Sequence, residues 1–227
     1  RGMHRRYPGW RGRTMILHPY RRLTASSRVR LVLGLKYLSF GQATNDLRTC
    51  AHKSADSGVI NPQHFVPALE TDDGNVLIQS PAILEWLEER YPSPPLLPQA
   101  VEDRAIVRAM AAMIGCDIHP LNNLRVLDYL KADLNAQQHH VDAWIARWIG
   151  EGFSALEKML ERYSGAFAFG DTPTLADCYL VPQVYSARRF KVDLSPFPLV
   201  QKVSGAAELA PAFSAAHPAA QPDADIS

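Results

Sequence analysis

Short apolar runs fill the first third of this chain, and long runs with helical spacing fill the rest. Met15–Tyr20 is an apolar run suited to a buried first strand. Ser26 and Ser27 stand before Val29, Leu31, Val32, Leu33, Leu35 and Leu38, a broad apolar helical face with good N-capping residues ahead of it. Residues 42–49 predict a second strand that returns parallel to the first, and the polar stretch 50–60 a short helix with a loop. Val66–Glu70 and Val76–Ile78 flank Asp72-Asp73-Gly74-Asn75, which predicts a β-hairpin. Ser80 then caps a helix running to about Arg90, with Pro81 where its missing N–H is harmless and Ile83, Leu84 and Leu87 facing inward.

The stretch PSPPLLPQA at 92–100 has four prolines in nine positions, so it reads as a linker that no helix crosses. Beyond it, amphipathic stretches at 101–132, 138–163, 174–189 and 198–214 carry no strand signal. The pattern predicts an α/β plus all-α molecule: a thioredoxin-like N-terminal domain over 15–91 and a helical-bundle C-terminal domain over 101–217. Residues 1–14 are expected to be a disordered basic leader, and 218–227, rich in Ala, Pro and Asp, a flexible tail.

Composition narrows the class. Of 227 residues, 47% are hydrophobic and 21% charged, as in an ordinary soluble globular protein. No apolar run approaches the roughly 20 residues that span a bilayer, and no secretory signal is legible at the start. The net charge is +1, yet residues 1–45 hold nine arginines and one lysine with no acid. A basic arm can meet nucleic acid or a membrane surface. The arginines before Met15 have no periodicity, and neither partner is expected. Cys50, Cys116 and Cys178 are too scattered for a zinc site and read as reduced core thiols of a cytoplasmic protein, with no metal expected.

Two local signals carry chemistry. Gln79-Ser80 lies at a helix N-terminus, where free N–H groups and the helix dipole favour an anion. Thr174-Leu175-Ala176-Asp177, preceded by Phe169-Gly170-Asp171, has the spacing of a reciprocal capping box, which is structural rather than catalytic.

Together with these signals, three stretches carry a resemblance. They are Asn61-Pro62-Gln63-His64-Phe65-Val66-Pro67-Ala68-Leu69; Ala25-Ser26-Ser27-Arg28-Val29-Arg30; and Gly115-Cys116-Asp117-Ile118-His119-Pro120-Leu121-Asn122-Asn123-Leu124-Arg125-Val126-Leu127. Leu180-Val181-Pro182-Gln183-Val184, continuing through Arg188-Arg189-Phe190 to Val192-Asp193-Leu194, agrees with them. From about Met15 to His217 the chain resembles the zeta class of glutathione transferases. The resemblance implies the glutathione transferase fold, glutathione as cofactor and a homodimer. It also implies a cis Val66–Pro67 bond that turns the Val66 backbone out as an edge for a peptide ligand, with Gln79 and Ser80 holding the γ-glutamyl carboxylate.

The activity implied is cis–trans isomerisation of maleylacetoacetate to fumarylacetoacetate, in aromatic amino-acid catabolism. A glutathione thiolate adds to the double bond, the adduct rotates, and the thiolate leaves. A free thiol ionises near pH 8.5, so the site must stabilise the sulfur anion. Where the class carries arginine, two serines and cysteine, then serine, this chain reads Arg22-Leu23-Thr24-Ala25-Ser26. By the resemblance Thr24 is the thiolate partner, with Ser26 second. His119 and Asn123, one turn apart, would point toward glutathione, and His52 toward its glycyl carboxylate. Arg22, Arg125 and Arg189 are the candidate grips for a diacid. Leu124, where relatives acting on maleylpyruvate can carry a second arginine, favours maleylacetoacetate. Maleylpyruvate isomerisation, chemistry on small α-halo acids, and glutathione binding with little turnover remain as alternatives.

Overall fold

The computed structural model describes residues 14–19, 24–43, 66–217 and 220–221. The expected helix or loop at 50–60, most of the predicted second strand, and Arg22, His52 and Cys50 lie outside the described residues.

The first domain is built from β1 (Met15–His18), α1 (Thr24–Leu35), β2 (Phe40–Gln42), β3 (Ala68–Glu70), β4 (Val76–Ile78) and α2 (Ser80–Arg90). The strands form one sheet in the order β2-β1-β3-β4. β2 runs parallel to β1, with Met15 opposite Phe40, and β3 is antiparallel to both β1 and β4. The parallel return matches the expectation, but it comes two residues earlier. Tyr37, at φ 54, stops α1 abruptly. The Leu38 N–H then reaches back to the Leu33 carbonyl at 2.9 Å, and the Tyr37 N–H to that of Gly34 at 3.1 Å. This Schellman stop sends the chain straight back into the sheet.

Helix α1 corrects a second expectation. It starts at Thr24, so Ser26 and Ser27 lie inside its first turn instead of capping it, and every residue from Thr24 to Leu33 is buried. An amphipathic surface helix would leave one face wet. Here α1 packs on α2 and also on two helices of the second domain, so even Arg28 and Arg30 are enclosed.

In the linker Leu96 and Leu97 are buried. The second domain follows with α3 (Val101–Ala112), a π-helical segment (Met113–Ile118), α4 (His119–Leu121), α5 (Leu124–Ala132), α6 (Gln138–Tyr163), α7 (Leu175–Arg189), α8 (Pro198–Glu208) and α9 (Pro211–Ala216). The stretch expected to be one helix over 101–132 is therefore broken. The His119 N–H bonds to the Ile114 carbonyl, five residues back, and Pro120 has no N–H with which to continue the ladder. Pro211 likewise divides the predicted 198–214 stretch.

The Thr174–Asp177 capping box forms at the start of α7. The Asp177 carboxylate accepts from the N–H groups of Thr174 (2.8 Å) and Ala168 (2.7 Å). One hydrophobic core runs from the sheet through α1 into the centre of the helical domain at α7. Cys178 belongs to it, whereas Cys116 is exposed, because the widened π turn carries it outward; the core-thiol expectation fails there. Among the described residues, no helix is long and apolar enough to cross a membrane.

Candidate functional site

The first residue of α1 and the first residue of α4 meet across the two domains. A hydrogen bond of 2.7 Å joins Thr24 Oγ1 to His119 Nδ1. The α1 dipole is positive at Thr24, and its first-turn N–H groups have no partner within the helix. The spot therefore suits an anion or a developing negative charge. Ser26, the second candidate, is completely buried. Two positions along a helix is more than half a turn, so Ser26 points to the opposite side from Thr24. Ser27 and Leu31, three and seven residues on, share the Thr24 face and line the same cavity.

That cavity, of about 500 Å³, lies between α1, α7 and the C-terminal helices. Thr24, Ser27, Tyr185, Glu208, Ser214 and His217 give it polar groups on an otherwise apolar wall. Tyr185, Glu208 and His217 were not legible as site residues, since they come from the last third of the chain and carry no motif. Glu208 is held by Arg188 at 2.9 Å.

A second cluster lies in the hairpin. The Val66–Pro67 bond is cis, and Val66 precedes the first paired residue of β3. Ala68 pairs with Ile78, so Val66 and Ser80 each lie two residues beyond the same paired position. Gln79 is the residue before α2, at φ 67 and ψ 113, and the buried Ser80 starts the helix. The cis bond and the helix N-terminus thus lie at the same end of the hairpin.

The other predicted residues separate. Asn123 is not on one helical face with His119, because α4 ends at Leu121; its side chain instead caps α5 by accepting from the Arg125 N–H at 3.2 Å. Arg125 and Arg189 are exposed, the latter with its guanidinium 4.8 Å from the Phe190 ring centre. They stand at the surface and not in the cavity wall.

Behind Thr24 and His119 sits a residue given no role from sequence. Arg28 is 1% exposed, with its guanidinium 4.4 Å above the Tyr179 ring. Its Nε and Nη2 have no hydrogen-bond partner among the described residues. Burial lowers its pKa to about 10, so it remains a cation at neutral pH. Burial first, and then the Arg28 charge, push the His119 pKa down to about 3, so that imidazole is neutral. Tyr179 is pushed up to about 12, chiefly by burial. The only signals for Arg28 were its place in α1 one turn after Thr24 and the absence of any acid nearby in sequence.

Among the described residues, no group of three or more His, Cys, Asp or Glu gathers as a metal site.

Comparison with known proteins agrees with this fold. Residues 24–90 match the glutathione S-transferase N-terminal domain and 142–218 the C-terminal domain. A holo structure of maleyl pyruvate isomerase, described as a bacterial glutathione S-transferase of the zeta class, superposes with a TM-score of 0.89 at 50% identity, covering 92% of this chain and 99% of that one. The maleylacetoacetate isomerase of Pseudomonas aeruginosa is 46% identical over 211 residues, 92% of this chain and 98% of its own. The maleylacetoacetate isomerase of Anaeromyxobacter dehalogenans, solved with glutathione in its active site, superposes with a TM-score of 0.84 at 43% identity, covering 93% and 98%.

Proposed function

We propose a glutathione-dependent cis–trans isomerase activity for this chain, which belongs to the glutathione S-transferase family and, within it, to the zeta class. The observation that carries the proposal is the Thr24–His119 contact at the start of α1, where a hydroxyl, a helix N-terminus and a cavity coincide.

The residues present fit glutathione. Ser80 and the first turn of α2 would hold its γ-glutamyl carboxylate, the Val66 backbone would pair with its cysteinyl unit, and Thr24 would face its sulfur. When bound, glutathione supplies a thiolate that adds reversibly to an electron-poor double bond. This chain's part is to keep that sulfur ionised, by the Thr24 hydroxyl and the α1 N-terminus, and to hold the acid groups of the substrate. Arg22, Arg125 and Arg189 would be the cations for that second task. His52 would serve the glycyl carboxylate.

We favour maleylacetoacetate as substrate, because Leu124, exposed at the start of α5, replaces a possible second arginine beside Arg125. The 50% identical maleyl pyruvate isomerase supports maleylpyruvate as the second reading. A homodimer in the cytoplasm, acting in aromatic amino-acid breakdown, belongs to the same proposal and rests on the family alone; sedimentation would test the dimer.

The deciding experiment follows both maleyl substrates, with and without glutathione, in the wild type and in Thr24→Val. Glutathione-dependent turnover is expected, faster on maleylacetoacetate and lowered at least about tenfold by the substitution. Absence of glutathione binding, or equal turnover of the two proteins, would overturn it.

A further inference from the structure

The contact between Thr24 and His119 has a direction, and the direction decides what the threonine can do. If His119 Nδ1 accepts, the Thr24 hydroxyl proton is spent on the imidazole and only lone pairs face the cavity, where they would repel a sulfur anion. If Nδ1 carries the proton, it donates to Thr24 Oγ1 and the hydroxyl proton is free to donate onward. Only the second arrangement stabilises a thiolate, and its two bonds, both aimed at the anion, strengthen each other.

We propose that His119 is a positioning residue: neutral, with its proton on Nδ1, it donates to Thr24 Oγ1 and so turns the threonine hydroxyl proton toward the sulfur of glutathione. The inference rests on the reading of Thr24 given above and adds a role for His119 other than touching glutathione.

Three features support it. The 2.7 Å separation is that of a strong bond, and both partners are fixed, Thr24 by α1 and His119 by the π-helical turn before it. Arg28 lies one turn after Thr24 on α1, enclosed and cationic, and its charge opposes a second proton on the imidazole. Cys116 of the π-helical segment and Tyr179 of α7 are the titratable groups that interact with Arg28 there, and neither is a carboxylate that would pair with an imidazolium. A histidine with a pKa near 3 also cannot keep the proton of a thiol that ionises near 8.5. It is therefore no general base in this step. The thiol proton passes to solvent, and His119 exchanges none.

The tautomer is directly readable. Protein with nitrogen-15 in its histidines, saturated with glutathione, gives imidazole resonances that separate protonated from bare nitrogens, and the signals missing in His119→Asn identify this ring. The expected result is a protonated Nδ1 and a bare Nε2, constant from pH 5 to pH 9. An Nε2–H tautomer or a cation would overturn the inference.

The ultraviolet band of the bound thiolate provides the second readout. His119→Leu is expected to raise the titration midpoint of the bound thiol by about 1 in pH, a tenfold loss of ionised fraction. His119→Asn, whose amide N–H can occupy the place of Nδ1–H, should recover most of that loss. In a Thr24→Val background His119→Leu should add nothing, since the two act in series. A full further rise there would mean that His119 acts on the sulfur itself and would sink the inference. If glutathione binds and Thr24→Val alone moves the midpoint, this inference fails while the proposed function stands. If Thr24→Val moves nothing, both fall.

Discussion

Lys36, just past the end of α1, and Glu88, near the end of α2, form an ion pair of 2.6 Å whose side chains are 0% and 7% exposed. Glu88 also accepts the N–H groups of Leu96 (3.0 Å) and Leu97 (3.1 Å), while Lys36 donates to the carbonyls of Tyr91 (2.7 Å) and Pro94 (3.0 Å). One buried pair thus fastens the proline-rich linker to both helices of the first domain. Removing one partner leaves the other charge buried without its counterion, at a cost of about 3–5 kcal/mol. Urea titration of Lys36→Met should show a loss of that size, and Lys36→Met with Glu88→Gln should lose less than Lys36→Met alone.

Two buried groups give opposite pH slopes. Burial raises the Asp177 pKa from 3.8 to about 6, against hydrogen bonds from Ala168 and Thr174. The native state then holds that proton more tightly than the unfolded chain, and the stability it contributes, about 3 kcal/mol, is present below pH 4 and lost as pH rises through 6. His119 moves the other way, from 6.5 down to about 3. Its contribution is present above pH 6.5 and lost as pH falls toward 3. The residue keeps a partial opening to solvent, which limits the effect to about 2 kcal/mol. Between pH 4 and 6 the Asp177 loss exceeds the smaller His119 gain, so wild-type stability should fall by about 1–2 kcal/mol across that window. In His119→Asn it should fall with rising pH across that window, and in Asp177→Asn it should rise. Chemical denaturation at several pH values checks both signs.

Gly152 of α6 gives Ile118 its room. A Cβ at this position would stand 2.3 Å from Ile118 Cγ1, and Ile118 is 1% exposed with nowhere to retreat. Gly152→Ala should cost about 1–3 kcal/mol by overpacking. The strain falls on the residue before His119, so isomerase turnover should drop even in protein that remains folded.

Gln79 occupies a positive-φ conformation at the start of α2. Such a backbone costs a non-glycine residue about 1–3 kcal/mol, while glycine adds about 0.5–1 kcal/mol of unfolded-state entropy. Gln79→Gly should thus gain about 1 kcal/mol in stability and lose glutathione affinity. Thermal unfolding and calorimetry would read the two effects, and their opposite signs would mark a strained binding residue.

Periodicity and punctuation determined much of this protein before any coordinates. The Asp-Gly turn gave the hairpin, the prolines at 92–100 the helix-free stretch between α2 and α3, and the spacing of Thr174 and Asp177 the capping box, because each depends on residues close in sequence. The helix over Gln138–Tyr163 also lies where its spacing put it. Tertiary structure decided the rest. Only packing from both sides could enclose Ser26, Arg28 and Arg30 in a helix whose own pattern showed apolar and polar faces. Only the π turn before Pro120 could deliver the His119 ring to Thr24, 95 residues away, and only the end of α4 at Leu121 could part it from Asn123. Local propensity acts over a few residues, whereas a site is made where distant segments are forced together by burying a common core.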